Sequence, residues 1–158
     1  MPTIEFNVVF QLLHLYKHLF HEGIGLRQFL DYSMVLRAFS QQGNKQQVLE
    51  TFESFGLLHF ASAVNFVLQE MFALPTAYLL VEPNEKEGKF LLSEIMKAGN
   101  FGHYDKRLSH SASPLLHAWE KIVRNLHLIT HYPEEVLCEP LFRLYHFLWR
   151  IFRLWWWE

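Results

Sequence analysis

Polar side chains in the first segment of the chain recur at a helical spacing. The segment begins at Phe6 and ends near Phe20, and intervals of four, three, four and three residues separate its polar stripe of Asn7, Gln11, His14, His18 and His21. The residues between them are apolar apart from Lys17, whereas a half-buried strand would alternate at every second residue. The pattern therefore predicts a helix that is buried round most of its circumference.

Glycine and proline divide the rest of the chain into further helical segments. Gly23 and Gly25 are expected to end the first helix through the left-handed conformation, and Gly56 is expected to cap a later one. The short connection makes the first two helices an antiparallel hairpin. The later segments with a helical period are Leu26 to about Phe39, Lys45–Phe55, Leu57–Phe72 and Glu85 to about Lys97.

The second half of the chain continues the helical pattern after a polar stretch. A mobile loop is predicted near residues 99–113, and the ambiguous stretch Tyr78–Val81 is predicted to be a loop because no second strand is present. Pro114 suits the first turn of a helix that ends near His131. Two more helices follow, from Pro133 with a kink or break at Pro140, and from Leu141 to about Trp156.

These segments predict an all-α protein, a bundle of about six to eight helices in a single domain over residues 1–158. The length of 158 residues suffices for one core, and 51% of the residues are hydrophobic while 19% are charged. Aromatic residues make up 16% of the chain, so part of this apolar surface is expected to lie against a partner or another domain.

Charge, cysteine content and apolar runs limit the expected partners and the cellular compartment. The formal net charge of −2 gives no general attraction to nucleic acid, which is not expected as a partner. A single cysteine, Cys138, excludes an intrachain disulfide framework and fits a reducing cytoplasm. The N-terminus lacks a basic signal-peptide region, and no apolar run is long enough for a membrane span.

The histidines of the first helix have three possible roles. The simplest is a partly solvated polar stripe without a ligand. Together with Lys17, His14, His18 and His21 could instead contact a phosphate or another anion. A histidine pair four residues apart can also bind a transition metal, but zinc catalysis usually needs a third ligand and a base, so no metal ligands are assigned.

Arg27 and Asp31 lie four residues apart at the start of the second helix. The order with the cation first is the less favourable one for an ion pair within a helix. Arg27 also lies in the first turn, where the helix dipole favours anions and disfavours cations. Its partner is therefore expected to be either Asp31 or a bound phosphate.

Two further patterns support other hypotheses. Arg124 and His131 lie on one predicted helix at a spacing similar to the signature of HEPN ribonucleases, in which the pair would act on a ribose phosphate. The aromatic C-terminal helix, with the sequence PLFRLYHFLWRIFRLWWWE, is expected to pack in a core or between domains, and a membrane surface is a weaker alternative. A stand-alone homodimer that pairs these C-terminal helices is a further hypothesis.

Several motifs in order along the chain resemble one protein family. They are EFNVVFQLLHLYKHLFHEGIGLRQFLDYSMVL, FASAVNFVLQEMF, EPNEKEGKFLLSEIMKAGNFGHYD and YPEEVLCEPLFRLYHFLWR. Together they are similar to the helical C-terminal portion of a bacterial nucleotidyltransferase-like family, frequent in gut Bacteroidetes and often linked to surface polysaccharide loci. The resemblance centres on the histidine-containing helix, the G-x-G-L-R corner and the aspartate four residues after the arginine.

The resemblance implies a role shared with a second domain. In the family, a catalytic half precedes this portion, and its acidic residues hold Mg²⁺ and a nucleoside triphosphate. The chain itself is then a non-catalytic accessory or substrate-binding domain, which needs no cofactor of its own and has the missing nucleotidyltransferase domain as its partner. His18, Arg27 and Asp31 match the family motif, and with His14 and Lys17 they are the predicted phosphate or acceptor contacts.

Overall fold

The computed structural model describes residues 2–21, 24–98, 126–134, 136–138, 141, 145 and 148–150. These residues form helices, turns and connecting segments and include no strand, so the predicted all-α class is confirmed. The chain divides into two compact units, Met1–Lys106 and Arg107–Glu158, which are described separately below. The single domain over 1–158 stays a prediction, and the loop expected near residues 99–113 lies outside the described residues.

The first unit contains five α-helices and one short 3₁₀ turn within its described residues. The helices begin and end within about three residues of the predicted bounds. The 3₁₀ turn spans Thr76–Tyr78, and the predicted loop follows it. The helices are α1 Ile4–His21, α2 Leu26–Gln42, α3 Lys45–Ser54, α4 Leu58–Phe72 and α5 Glu85–Ala98.

Helices α1 and α2 form the predicted antiparallel hairpin. The backbone N–H of Asn44, just beyond the end of α2, donates a hydrogen bond of 3.0 Å to a carboxylate oxygen of Glu5 near the start of α1. The two helices are joined at their other ends by residues 22–25 and pack against each other. The hydrogen bond from Asn44 lowers the pKa of the Glu5 carboxyl, since it stabilises the charged form.

Two of the predicted glycine conformations can be compared with the structure. Gly56 follows α3 with a φ of 66°, the left-handed conformation expected at the end of a helix. Gly25 has a φ of −113° and is instead the extended N-cap of α2, so the left-handed conformation predicted for it is wrong. Gly23 lies outside the described residues.

Helix α1 is buried on one face only. Its buried side chains recur at intervals of four, three and four residues, and they are Val8, Leu12, Leu15 and Leu19. On another side, Phe6 and Phe10 remain 56% and 53% exposed. The prediction of burial round most of the circumference is therefore wrong: apolar content indicates how much of a helix could be covered, while the packing of neighbouring helices decides which sides are.

Helix α4 lies at the centre of the first unit and contacts α2, α3 and α5. Gly88 of α5 approaches α4 so closely that a Cβ atom there would overlap Phe66. The side-chain amide of Asn65 donates a hydrogen bond of 2.7 Å to the backbone carbonyl of Val81, which anchors the segment after the 3₁₀ turn. A small residue and a buried amide thus fix the path of the chain from α4 to α5.

The second unit is described only in part. Residues 126–128, 133–134, 136–138, 141, 145 and 148–150 are helical, in agreement with the helical pattern of the sequence. Leu128, Tyr132 and Val136 are buried and lie four residues apart. Across the described portions of the chain, no helix combines the length and the apolar character that crossing a membrane requires.

Candidate functional site

His14 and His18 lie next to each other near the C-terminal end of α1. Their Nε2 atoms are 3.0 Å apart, within hydrogen-bonding distance, so the Nε2–H of one ring donates a hydrogen bond to the Nε2 atom of the other. The His14 side chain is exposed and that of His18 is half-buried. The third histidine of the predicted stripe, His21, ends α1, and its side chain lies outside what the structure describes. The structure thus brings together two of the predicted site residues as a direct pair.

A continuous row of rings leads along α1 to this pair. Phe6 stacks on Phe10 with centroids 5.8 Å apart, and Phe10 stacks on His14 at 6.1 Å. His14 then meets His18 edge to face at 4.3 Å. Rings four residues apart lie on one side of a helix, so these four form a ladder whose first three members are exposed. The sequence analysis predicted burial round most of this helix and missed the ladder.

Arg27 and Asp31 are both exposed on α2, and the structure does not pair them. Within the described part of the chain, neither side chain makes a hydrogen bond or an ion pair. The sequence allowed two partners for Arg27, Asp31 or a phosphate, and the ion pair with Asp31 does not form. The guanidinium group is left accessible in the first turn of α2.

The start of α2 is held by its own backbone and one buried side chain. The Gly25 N–H donates a hydrogen bond of 2.8 Å to the side-chain oxygen of Gln28, which is buried. No acidic residue lies in the first turn of α2, so no carboxylate of that turn would repel an incoming anion or compete with it for the backbone N–H groups. Lys17 is a second exposed cation of the same hairpin, on α1. The hairpin therefore offers positive groups and histidines on its two helices.

The residues present do not fit the Mg²⁺ site of a nucleotidyltransferase. Mg²⁺ is bound by carboxylates and phosphate oxygens. Among the described residues there is no group of three or more histidine, cysteine, aspartate or glutamate side chains that could hold a metal ion. The hairpin can therefore contact a phosphate, but the described residues do not supply the carboxylates for metal-dependent transfer.

The pair proposed for a HEPN-like ribonuclease can be placed only in part. His131 lies in a turn and is half-buried, whereas Arg124 lies outside the described residues. The distance between the two side chains is thus not described. That alternative stays a prediction without support from the structure.

A second histidine contact, which sequence analysis missed, joins α4 to α5. The His59 Nε2 atom is 3.4 Å from a carboxylate oxygen of Glu87, which is buried. A shallow open depression of about 660 Å³ lies nearby, lined by Ser62, Glu82, Pro83, Asn84, Glu85, Lys86 and Lys89. The two residues lie on different helices, and no periodic pattern in the sequence links them. Their contact holds two helices together, and the depression carries charges of both signs.

A comparison with known protein families finds a match in the first part of the chain. A family model described as an uncharacterised nucleotidyltransferase matches residues 1–73. This range ends at the C-cap of α4 and includes His14, Lys17, His18, Arg27 and Asp31. No curated protein and no solved structure matches the chain. The family match thus covers the four helices α1–α4 and slightly less than half of the chain.

Proposed function

We propose that the α1–α2 hairpin is an accessory, substrate-binding part of a nucleotidyltransferase, and that it contributes phosphate or acceptor contacts to a cleft completed by a catalytic domain. The family match over residues 1–73 supports the enzyme class. The observation that carries the binding role is Arg27, an exposed cation in the first turn of α2 that is not paired with Asp31. A cation in that position gains a favourable partner when a phosphate binds.

Each residue of the site has a proposed role in this cleft. Arg27 and Lys17 neutralise phosphate charge, and the Arg27 guanidinium can donate two parallel hydrogen bonds to phosphate oxygens. His14 and His18 donate further hydrogen bonds when protonated. Asp31 accepts a hydrogen bond from a hydroxyl group of the acceptor. These groups bind and orient the substrate, while the carboxylates that would hold Mg²⁺ and a nucleoside triphosphate come from the catalytic domain or a partner protein.

The same proposal places the activity in the cytoplasm. A nucleoside triphosphate is available in the cytoplasm, and the lone exposed Cys138 is suited to a reducing compartment. The link to bacterial polysaccharide loci, implied by the resemblance, stays a prediction. Transferase activity of this chain by itself is not expected.

Replacing Arg27 by alanine tests the binding role. We expect Arg27→Ala to weaken the binding of MgATP to the chain at least tenfold, because a hydrogen bond to a charged group contributes about 1.5–3 kcal/mol. Isothermal titration calorimetry at low ionic strength measures the affinity. Lys86→Ala is the matched control, since it removes an exposed cation of α5 and leaves the hairpin unchanged. Equal affinities of the wild type and Arg27→Ala would rule out the phosphate role.

A second candidate function, a stand-alone interaction module, is favoured by the C-terminal residues. Leu141, Tyr145, Leu148 and Trp149 are all exposed, and the first three recur at intervals of four and three residues on one side of a helix. A second copy of the chain could cover this apolar surface.

The homodimer hypothesis predicts that a charge at this apolar surface halves the molecular mass of the particle in solution. We expect Trp149→Glu to convert a dimer into a monomer in size-exclusion chromatography with light scattering, because a charge at an apolar interface is costly to desolvate. Lys86→Glu, at an exposed site on α5, serves as the control for the change of charge. A wild-type chain that stays monomeric at high concentration would contradict this alternative.

A further inference from the structure

We propose that His14 and His18 form a binding site for a divalent transition metal ion of the Cu²⁺ or Ni²⁺ class, held by the Nε2 atoms of both rings. The sequence alone favoured a polar stripe at these positions. The new observation is the distance of 3.0 Å between the two Nε2 atoms, on neighbouring turns of one long helix. The site is separate from any Mg²⁺ site of a catalytic domain, and it does not depend on the proposed transferase role.

The separation of the two nitrogens favours particular metals. Metal–nitrogen bonds of about 2.05 Å at a right angle place two nitrogens about 2.9 Å apart, and a tetrahedral angle places them about 3.3 Å apart. The observed 3.0 Å is closer to the first value. Adjacent positions of a tetragonal or octahedral ion therefore match this separation once the rings turn both Nε2 lone pairs towards the ion, and Cu²⁺ and Ni²⁺ prefer such positions.

The surroundings of the pair allow a metal ion to enter. His14 is exposed, and its ring is stacked on Phe10, which restricts its rotation. In the metal-free pair the Nε2–H of one ring donates a hydrogen bond to the Nε2 atom of the other. With His14 as the donor, binding moves that proton to Nδ1 of its exposed ring through solvent, so that both Nε2 lone pairs can turn towards the ion. Water completes the coordination, because two imidazoles occupy only two positions.

The chemistry of the ligands also predicts what will not bind. Imidazole suits copper and nickel, whereas Mg²⁺ prefers oxygen ligands and releases water reluctantly. Binding requires neutral histidines, so protons compete with the metal and the affinity falls as the pH is lowered. The preference for copper and nickel over Mg²⁺, and the loss of affinity at lower pH, distinguish a metal site from a phosphate site. Protonation of the two histidines would instead strengthen phosphate binding.

The test is a titration of the full chain with CuCl₂, NiCl₂ and MgCl₂ separately, in a buffer that does not bind metals. We expect one Cu²⁺ per chain at this site, with an electron paramagnetic resonance spectrum of two nitrogen ligands, and no binding of Mg²⁺. His14→Ala and His18→Ala should each lower the Cu²⁺ affinity at least tenfold, because each removes the chelate. Since the chain has ten histidines, His127→Ala, which removes an exposed histidine elsewhere, is the control and should leave the affinity unchanged.

The variants also separate this proposal from the phosphate role. His14 is exposed, so His14→Ala keeps the test decisive even if the half-buried His18 is needed for folding. Cu²⁺ affinity that is unchanged in His14→Ala, or lowered equally in His127→Ala, would overturn the metal site. Arg27→Ala should leave Cu²⁺ binding intact, so failure of the phosphate role and failure of the metal site give different results.

Discussion

Phe52→Ala is expected to lower the free energy of unfolding by about 4 kcal/mol, the range seen when a buried phenylalanine is truncated. Phe52 lies on α3 with 0% of its surface exposed. Removing its ring loses buried apolar surface and leaves a cavity that close-packed neighbours fill only partly. Because α3 contacts both α1 and α4, the loss loosens the support of the hairpin that carries the candidate site.

A residue three positions later provides the matched control. Phe55 follows α3 and is 61% exposed, so Phe55→Ala should change the stability by less than about 1 kcal/mol. Urea unfolding followed by circular dichroism measures both variants, and Phe52→Leu is available if Phe52→Ala does not fold. Similar losses for Phe52→Ala and Phe55→Ala would show that the described core of the first unit is incorrect.

Gly88→Ala is expected to destabilise the protein by about 2 kcal/mol, although alanine is the better helix former by about 1 kcal/mol. The added methyl group would overlap the Cβ atom and the ring of Phe66 on α4. A Cβ atom is fixed to the backbone, so relief requires α4 and α5 to move apart. That movement would also strain the contact between His59 and Glu87.

The sign of this effect distinguishes packing from helix propensity. Lys86→Ala lies in the same turn of α5 at an exposed position and should change the stability by no more than about 0.5 kcal/mol. The thermal midpoint of each variant gives the comparison. A midpoint for Gly88→Ala equal to or above that of the wild type would mean that the close approach of α4 and α5 does not exist.

The helices of the first unit could be predicted from the sequence because their signals are local. Apolar residues at helical intervals define α1, α2 and α4, and the left-handed Gly56 marks the end of α3. The glycine-containing connection between Leu19 and Leu26 was enough to predict a hairpin. Each of these features depends on residues a few positions apart, which periodicity and glycine content reveal directly.

Contacts between distant residues could not be predicted in this way. The hydrogen bond between Glu5 and Asn44 and the contact between His59 and Glu87 join different elements. Their formation depends on how the helices pack, which a single sequence does not specify. The exposed side of α1 was wrongly predicted for the same reason, since the composition of a helix does not show which of its sides has a neighbour.

The residues of the candidate site could be predicted from the sequence, but the contacts between their side chains could not. Spacing predicted that His14 and His18 would share a face, and the structure places their Nε2 atoms in contact. The same spacing allowed a pair between Arg27 and Asp31, which the structure does not form. Side-chain rotamers on an exposed helix are set by nearby charges and solvent, so a four-residue spacing permits an ion pair without requiring one.

Nuclear magnetic resonance of the ¹⁵N-labelled chain during a titration with MgATP tests the binding role of the hairpin most directly. We predict that the amide signals that shift belong to the end of α1 and the start of α2, from His14 to Asp31, and that Arg27→Ala removes these shifts. Shifts confined to other regions, such as the depression beside α5, or no shifts at millimolar MgATP, would contradict a phosphate-binding role for the hairpin.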